Sequence, residues 1–139
     1  MKSSCITTTK GKVQLILLDL SDLTTFKPFL DTLKSITNYV SILVNNAGVF
    51  GILSRKTTAQ GIELNVGTNY IGHAYLTELL LPMFDTKRQN RIVNVSSMII
   101  QKQPLDLDKF NLDSEHYNTV TAYANSKVAN VLHALYLND

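Results

Sequence analysis

Three short apolar runs, separated by stretches with helical patterning, most constrain what this chain can fold into. The runs are residues 13–19, 40–45 and 91–96, and each is nearly continuous in apolar side chains. Such runs are typical of strands that are buried on both faces of a parallel sheet. Helical patterns occupy about residues 21–36, 59–84 and 120–136. This alternation predicts an α/β fold in which right-handed crossovers join the strands.

Local signals qualify the helices and one connection. Pro28 lies inside the first helical pattern, where it removes a hydrogen bond, so this helix is split or begins late, with Ser21 or Asp22 as its cap. His73 lies in the second pattern, and a core or surface position is the simplest interpretation of it. Residues 101–118 carry four acidic side chains without a clear period, which predicts a solvated loop.

Composition sets the size and class of the molecule. A chain of 139 residues, 45% apolar and 17% charged, can build one globular core and is too short for two ordinary domains. The net charge of +2 comes from scattered basic residues, so nothing indicates a nucleic-acid surface. The single cysteine, Cys5, excludes an internal disulfide and a thiol-rich metal site. Neither a secretory signal nor a membrane-spanning run is recognisable, and we expect a cytoplasmic protein without a metal.

Tyr123 and Lys127 are the strongest candidates for chemistry. They stand four residues apart in a helical pattern and therefore share one helical face. A Lys ammonium beneath a Tyr ring lowers the free-energy cost of the phenolate, and such a tyrosine serves as a general acid or base near neutral pH. An ordinary helix with a packed tyrosine and a solvated lysine is the alternative, since chance supplies roughly 0.4 matches to this spacing.

Further motifs accompany this pair in a fixed order. An Asn-Asn-Ala-Gly motif (residues 45–48) ends the second apolar run, Asn69 lies in the second helical pattern, and a Ser-Ser pair (residues 96 and 97) closes the third run. With the Tyr-x-x-x-Lys pair, this order resembles the short-chain dehydrogenase/reductase family from about residue 13 onward. The sequence around the motifs is similar to the retinol-dehydrogenase-like branch of that family.

The resemblance implies an oxidoreductase that moves a hydride between NAD or NADP and a small-molecule carbonyl or alcohol. In the family's pattern, Tyr123 exchanges the proton with the substrate oxygen, and Lys127 favours the phenolate and holds the nicotinamide ribose. Ser97 hydrogen-bonds the substrate carbonyl, and Asn69 positions a water in the proton relay. Motif position favours Ser97 over Ser96, and the alternative for Ser97 is a turn residue at a strand end.

The same resemblance assigns residues to the cofactor. Asn46, Ala47 and Gly48 would face it at a strand end, where small residues let a ligand approach the backbone. A plain turn is the alternative for this motif. Asp19 and Leu20 match the position that contacts the adenine ring, although Asp19 is equally well explained as a helix-initiating residue. Asn45 would tie neighbouring strands together.

Only part of the family's fold is represented in this sequence. Dinucleotide-binding folds open with a strand and a glycine-rich turn that receives the pyrophosphate, and no glycine here forms that pattern. By resemblance, residues 13–19 match the third strand of a sheet ordered 3-2-1-4-5-6-7, so two strand positions separate them from residues 40–45. We therefore expect residues 1–139 to form one partial Rossmann-like domain with strands 3, 4 and 5, lacking the glycine-rich unit and the C-terminal substrate-binding part.

Two further points stay open at this level. The alternative to an active enzyme is a catalytically inactive fragment, or an incomplete gene model, of such an enzyme. Family members associate through two long helices, here about residues 59–84 and 120–136, but the apolar faces of these helices serve equally well as core.

Overall fold

The structure is a computed structural model that describes residues 11–101 and 110–138. In these ranges no helix is both long and apolar enough to cross a membrane. One continuous helix, which we call the long helix, contains α2, a π-helical segment and α3. The elements in chain order are α1 (Phe26–Ile36), β1 (Ile42–Asn45), α2 (Leu64–Val66), the π-helical segment (Gly67–Ile71), α3 (Gly72–Leu80), β2 (Arg91–Asn94) and α4 (Thr119–Tyr136), with 3₁₀ turns at Leu23–Thr25, Leu81–Met83 and Met98–Gln101.

The two strands lie side by side in parallel. Ile42 pairs with Arg91, and the register continues to Asn45 opposite Asn94. The long helix forms the connection between them, as parallel pairing requires. The predicted α/β fold with parallel strands is confirmed.

Residues 13–19 do not form the strand that the apolar run predicts. They have no ladder partner among the described residues, and Val13, Leu15 and Leu17 are 61%, 82% and 84% exposed. A strand forms only when a second backbone satisfies its N–H and C=O groups, and β1 is paired with β2 alone. Residues 13–19 therefore have the apolar pattern of a strand but no neighbouring strand to pair with in the described part of the chain.

The strands are also covered on one face only, contrary to the expectation of burial on both. Ile42 and Val44 of β1 are 63% and 56% exposed, whereas Leu43 packs against the core. Because successive side chains of a strand point to opposite faces, this alternation identifies one face without a cover. We call this surface the open face.

The predicted late start of the first helix is confirmed. Leu23–Thr25 forms a 3₁₀ turn, the Asp22 carboxylate accepts a hydrogen bond from the Thr24 amide at 2.9 Å, and α1 begins at Phe26. Pro28 then lies in the first turn of α1, where the N–H that it lacks would have no helical partner. One core cluster consists of buried Phe26, Leu76, Leu80 and Met83.

The long helix begins five residues later than the predicted start at residue 59. Gly61 has φ +80°, a left-handed conformation that forms a turn, and the helix starts at Leu64. The Glu63 carboxylate caps it by accepting hydrogen bonds from the amides of Asn65 and Val66 at 3.0 and 2.9 Å. Turn chemistry at Gly61 therefore overrides the apolar periodicity.

Helix α4 starts at Thr119, one residue before the predicted position, and Asn118 caps it. The long helix and α4 pack on each other, and the Asn69 side chain donates to Ser126 Oγ at 3.0 Å. This contact holds the two helices together within the chain. Leu132, Leu135 and Tyr136 remain exposed on α4.

The predicted solvated loop at residues 101–118 is only partly within the described ranges, because residues 102–109 lie outside them. Residues 101 and 110–118 are described, and their segment is not uniformly solvated. Leu112 is buried, and the Tyr117 hydroxyl donates to the Ile52 carbonyl at 2.9 Å. The prediction of a solvated loop therefore holds for most of residues 110–118, whose side chains are largely exposed, while Leu112 and Tyr117 attach the segment to the protein.

Candidate active site

Asn69 lies at the centre of a hydrogen-bonded group near the carboxyl ends of the strands. It is fully buried in the π-helical segment. Its Nδ2 donates to the Val49 carbonyl and to Ser126 Oγ, both at 3.0 Å, and its Oδ1 accepts from the Val49 amide at 2.7 Å. One side chain thus joins the segment after β1 to the long helix and to α4. π-Helical segments occur frequently at functional sites.

Lys127 is buried on α4 and points its ammonium toward the end of β2. Its Nζ donates to the Val95 carbonyl at 3.1 Å and lies 5.6 Å from the centroid of the Tyr123 ring. Burial lowers the pKa of Lys127 from its ordinary value. The four-residue spacing predicted this proximity of cation and ring, and the structure has it.

The Tyr123 ring is half-buried and lies against Phe50. The two ring centroids are 4.6 Å apart and the ring planes are tilted by 59°. This is a favourable arrangement for two aromatic rings. Sequence reasoning missed Phe50, because the contact joins positions 73 residues apart in sequence and no periodic signal marks it.

The two serines after β2 differ in their hydrogen bonds. Ser96 Oγ donates to the Lys127 carbonyl at 2.8 Å and so ties the strand end to α4. Ser97 Oγ accepts a long hydrogen bond of 3.4 Å from the Ile99 amide. A structural bond therefore occupies Ser96, which supports Ser97 as the serine for a substrate oxygen.

The residues that the resemblance assigns to the cofactor begin at the end of β1. Asn46, Ala47 and Gly48 are exposed, and a Cβ added at Gly48 would lie 2.9 Å from Asn69 Oδ1. Asn45 is buried, and its Nδ2 donates to Asn94 Oδ1 at 2.8 Å and to Thr77 Oγ1 at 3.0 Å. The Asn45 side chain thus links the two strands and the long helix, and leaves the next three residues open to a ligand.

Asp19 and Leu20 have local roles that the sequence left undecided. Asp19 Oδ1 accepts hydrogen bonds from the Ser21 amide at 2.8 Å and from Ser21 Oγ at 2.7 Å, so it stabilises a turn. The Leu20 carbonyl lies 2.5 Å from the position that a Cβ on Gly72 would take. Beside them is a shallow cleft of about 250 Å³, lined by Leu17, Leu18, Asp19 and Thr25.

These observations fit part of a nicotinamide dinucleotide. An apolar cleft beside Asp19 suits an adenine ring, and the exposed backbone at residues 46–48 admits a ligand close to β1. The sequence provides no glycine-rich turn for a pyrophosphate. A larger cleft of about 360 Å³ is lined by Leu81, Phe84, Arg91, Ile92, Ala134 and Leu137 among others, and it contains none of the predicted site residues.

Two other polar residues complete the surroundings of Asn69. Ser126 is buried, and its hydroxyl donates to the Tyr123 carbonyl at 2.7 Å. Sequence reasoning did not select Ser126, although it directly precedes Lys127. His73 is buried, and its Nδ1 is 3.0 Å from the Asn69 carbonyl, which agrees with a core position. Burial, chiefly, lowers the pKa of His73.

Comparison with known proteins places this chain in a family. A family model described as short chain dehydrogenase matches residues 2–107. A short-chain dehydrogenase/reductase from Phomopsis amygdali is 40% identical over 136 residues, which cover 92% of this chain and 41% of that protein. Human (Homo sapiens) retinol dehydrogenase 13 is 38% identical over 115 residues, which cover 83% of this chain and 34% of that protein.

A solved structure agrees with these relatives. The crystal structure of an uncharacterized protein from Mycobacterium Paratuberculosis matches with a TM-score of 0.78 at 36% identity, covering 94% of this chain and 45% of that one. The chain thus spans less than half the length of each of these three proteins. A match that covers 92% of the chain necessarily includes Tyr123 and Lys127. The chain belongs to the short-chain dehydrogenase family.

Proposed function

We propose that this chain carries the proton-transfer site of an oxidoreductase that interconverts a carbonyl and an alcohol with NAD or NADP. The observation that carries the proposal is the position of the Lys127 ammonium, 5.6 Å from the centroid of the Tyr123 ring and held by the Val95 carbonyl. A cation at this distance stabilises a phenolate electrostatically. Residues 1–139 then form part of one Rossmann-like domain.

Each side chain has a distinct role in the proposal. Tyr123 donates a proton to the substrate oxygen in reduction and accepts it in oxidation. Lys127 stabilises the charge that Tyr123 acquires, because its buried ammonium lies 5.6 Å from the centroid of the ring. Ser97 donates a hydrogen bond to the substrate oxygen. Asn69 holds the segment after β1 against α4, and the proton relay to solvent passes near its buried amide.

The cofactor supplies or accepts the hydride when bound. Asn46, Ala47 and Gly48 would contact it near the site, and Asp19 and Leu20 would contact its adenine end. Tyr123 and Lys127 would hold the ribose beside the reacting carbon. These assignments rest on the exposed backbone after β1 and on the apolar cleft beside Asp19.

An apolar alcohol or aldehyde of the retinol type is the substrate class that we propose. The relatives include a retinol dehydrogenase. Phe50, which lies against Tyr123, is 62% exposed. Leu53, three residues later, and Met98, which follows Ser97 in sequence, are 91% and 83% exposed. Exposed apolar side chains beside a polar reacting group suit a substrate that has a hydrocarbon body and one oxygen.

The test is whether the protein reduces retinal with NADH or NADPH. Turnover is measured as the loss of the reduced cofactor's absorbance. Tyr123→Phe removes the proton donor and keeps the ring, and we expect turnover to fall about 10²–10⁴-fold. Tyr136→Phe is the matched control, because Tyr136 is 72% exposed at the far end of α4. Equal turnover by the two variants would contradict the proposal. Failure to bind either reduced cofactor in a titration would favour the inactive alternative instead.

A further inference from the structure

We propose that residues 110–117, the clasp segment, fix the position of Phe50 on Tyr123, and that Tyr117 and Arg55 are positioning residues. We call residues 49–56 the site loop. The inference rests on the proposed function in one respect, since the importance of the contact for turnover depends on Tyr123 as the proton donor. The geometry of the clasp does not depend on it.

Three hydrogen bonds connect the clasp segment to the far side of the site. The Tyr117 hydroxyl donates to the Ile52 carbonyl at 2.9 Å, and Arg55 Nε donates to the Leu112 carbonyl. Asn111 Oδ1 accepts from the Glu63 amide at 2.9 Å. Leu112 is 3% exposed, so an apolar contact accompanies these bonds. The clasp segment is therefore attached to the site loop at two points and to the start of the long helix at a third.

The position of Phe50 depends on its neighbours in the chain and little on burial. Its side chain is 62% exposed, and the adjacent Gly51 has φ +75° with open space around it. Asn69 fixes Val49 on one side, and Tyr117 fixes Ile52 on the other. An exposed ring 4.6 Å from Tyr123 thus keeps its place because the backbone is anchored on both sides of it.

The clasp segment also connects directly to the helix that carries Tyr123. Asn118, the next residue, caps α4 by accepting from the amides of Val120 and Thr121. Tyr117 also approaches the start of the long helix. Asn65 Nδ2 lies 3.5 Å from the Tyr117 hydroxyl, and the same Nδ2 donates to the buried Glu63 carboxylate at 2.8 Å. The clasp segment and the Asn118 cap that directly follows it therefore set the position of the ring that lies on Tyr123 and the start of the Tyr123 helix, respectively.

Such an arrangement has a consequence for catalysis. A phenol that transfers a proton must be held in a narrow range of orientations, because misplacement of a reacting group lowers the rate steeply. Phe50 restricts the Tyr123 ring on one side. Loosening the clasp should lower kcat more than it raises KM, since the hydrogen-bonding groups for the substrate oxygen remain.

The experiment uses the absence of tryptophan from the chain. Phe50→Trp places one fluorophore in the site loop, and Tyr117→Phe in that background removes one hydroxyl. We expect a red shift of the emission, stronger quenching by acrylamide, and amide exchange at Gly51–Leu53 that is about fivefold faster. Tyr136→Phe in the same background is the control. Emission and exchange that are alike in the two variants overturn the proposal, whatever the activity.

A second variant protects the test against misfolding. Arg55→Ala releases the clasp from its other attachment, and Arg88→Ala, at an arginine paired with Asp85 on the surface, is its control. Turnover of retinal with the preferred reduced cofactor is then compared among these variants made in the protein that keeps its native Phe50. A fall in kcat for Tyr117→Phe and Arg55→Ala, but for neither control, supports the positioning role, and an unchanged kcat despite a shifted emission contradicts it. If even the unsubstituted protein lacks turnover, the proposed function fails and the emission and exchange data alone decide whether the clasp holds Phe50.

Discussion

The carboxyl ends of the two strands and the open face of the same sheet differ in how their groups are satisfied. Around Asn69, hydrogen bonds join positions 20 and 57 residues apart in sequence. Ile42 and Val44 on the open face are 63% and 56% exposed, and elsewhere residues 11–19 have no ladder partner in the described ranges. The site is therefore held by contacts that this chain makes with itself, whereas one face of the sheet has apolar side chains that no other part of the described chain covers.

The largest expected effect on stability comes from breaking the hydrogen bonds around Asn69. Asn69→Leu removes three hydrogen bonds and leaves the Val49 amide and carbonyl without their partner, so we expect a loss of about 3 kcal/mol in the free energy of unfolding. Urea denaturation of the full-length protein measures it. Asn90→Leu is the control, because Asn90 is exposed and bonds only carbonyls of its own turn. An equal effect at the two positions would show that Asn69 does not organise the site.

The second largest expected effect is on the pH dependence of the free energy of unfolding, through buried histidines near the site. Burial lowers the pKa of His73 below its ordinary value of 6.5, and burial does the same for His133. Above pH 6.5 these groups are neutral in the folded and the unfolded chain and add no pH dependence, whereas below it the unfolded chain binds protons that the folded chain resists, so the free energy of unfolding falls as pH falls. Each histidine contributes a slope of at most about 1.4 kcal/mol per pH unit. His73→Gln should flatten the curve of unfolding free energy between pH 7 and pH 5, and an unchanged slope would exclude His73 as a source.

The smallest effect is expected where side chains already face solvent. Leu15→Lys and Leu17→Lys replace side chains that are 82% and 84% exposed, so the free energy of unfolding should change by less than about 0.5 kcal/mol. Self-association measured by light scattering should decrease, because the exposed apolar area is reduced. A large loss of stability would mean that these leucines are covered in solution. Lys27→Ala, at an exposed position of α1, is the control that shows the size of an ordinary surface effect.

The elements that sequence predicts well are those with local causes. The parallel strands and α4 follow from apolar runs and helical periodicity, and the proximity of Lys127 to Tyr123 follows from their spacing on one helix. Residues 13–19 have the composition of a strand, but pairing is a property of two segments and cannot be inferred from one. The start of the long helix was misplaced because the turn at Gly61 is stronger than the apolar period around it.

The contacts that sequence did not reveal are tertiary. Phe50 meets Tyr123, and Tyr117 meets Ile52, across 73 and 65 residues of sequence. Neither pair shows a spacing that a helix or strand would impose. The attachment of residues 110–117 is likewise absent from the sequence prediction, because their polar composition indicates solvent exposure and gives no sign of the partners that Leu112, Asn111 and Tyr117 find.

The π-helical segment has a consequence for how this helix tolerates insertions and deletions. Gly67–Ile71 closes its turn with a hydrogen bond from the Gly72 amide to the Gly67 carbonyl, one residue longer than an α-helical turn. A π turn takes up about one residue more than an α turn, so deleting one residue there would restore a regular helix and leave the residues on both sides at nearly the same angle about its axis. Asn65 would keep its approach to Tyr117, and His73 and Thr77 would keep their hydrogen bonds to the preceding turn of the helix. One extra residue is thus absorbed within a single turn, and the helix can gain or lose a residue at this point without turning its faces away from the sheet or from the reacting groups.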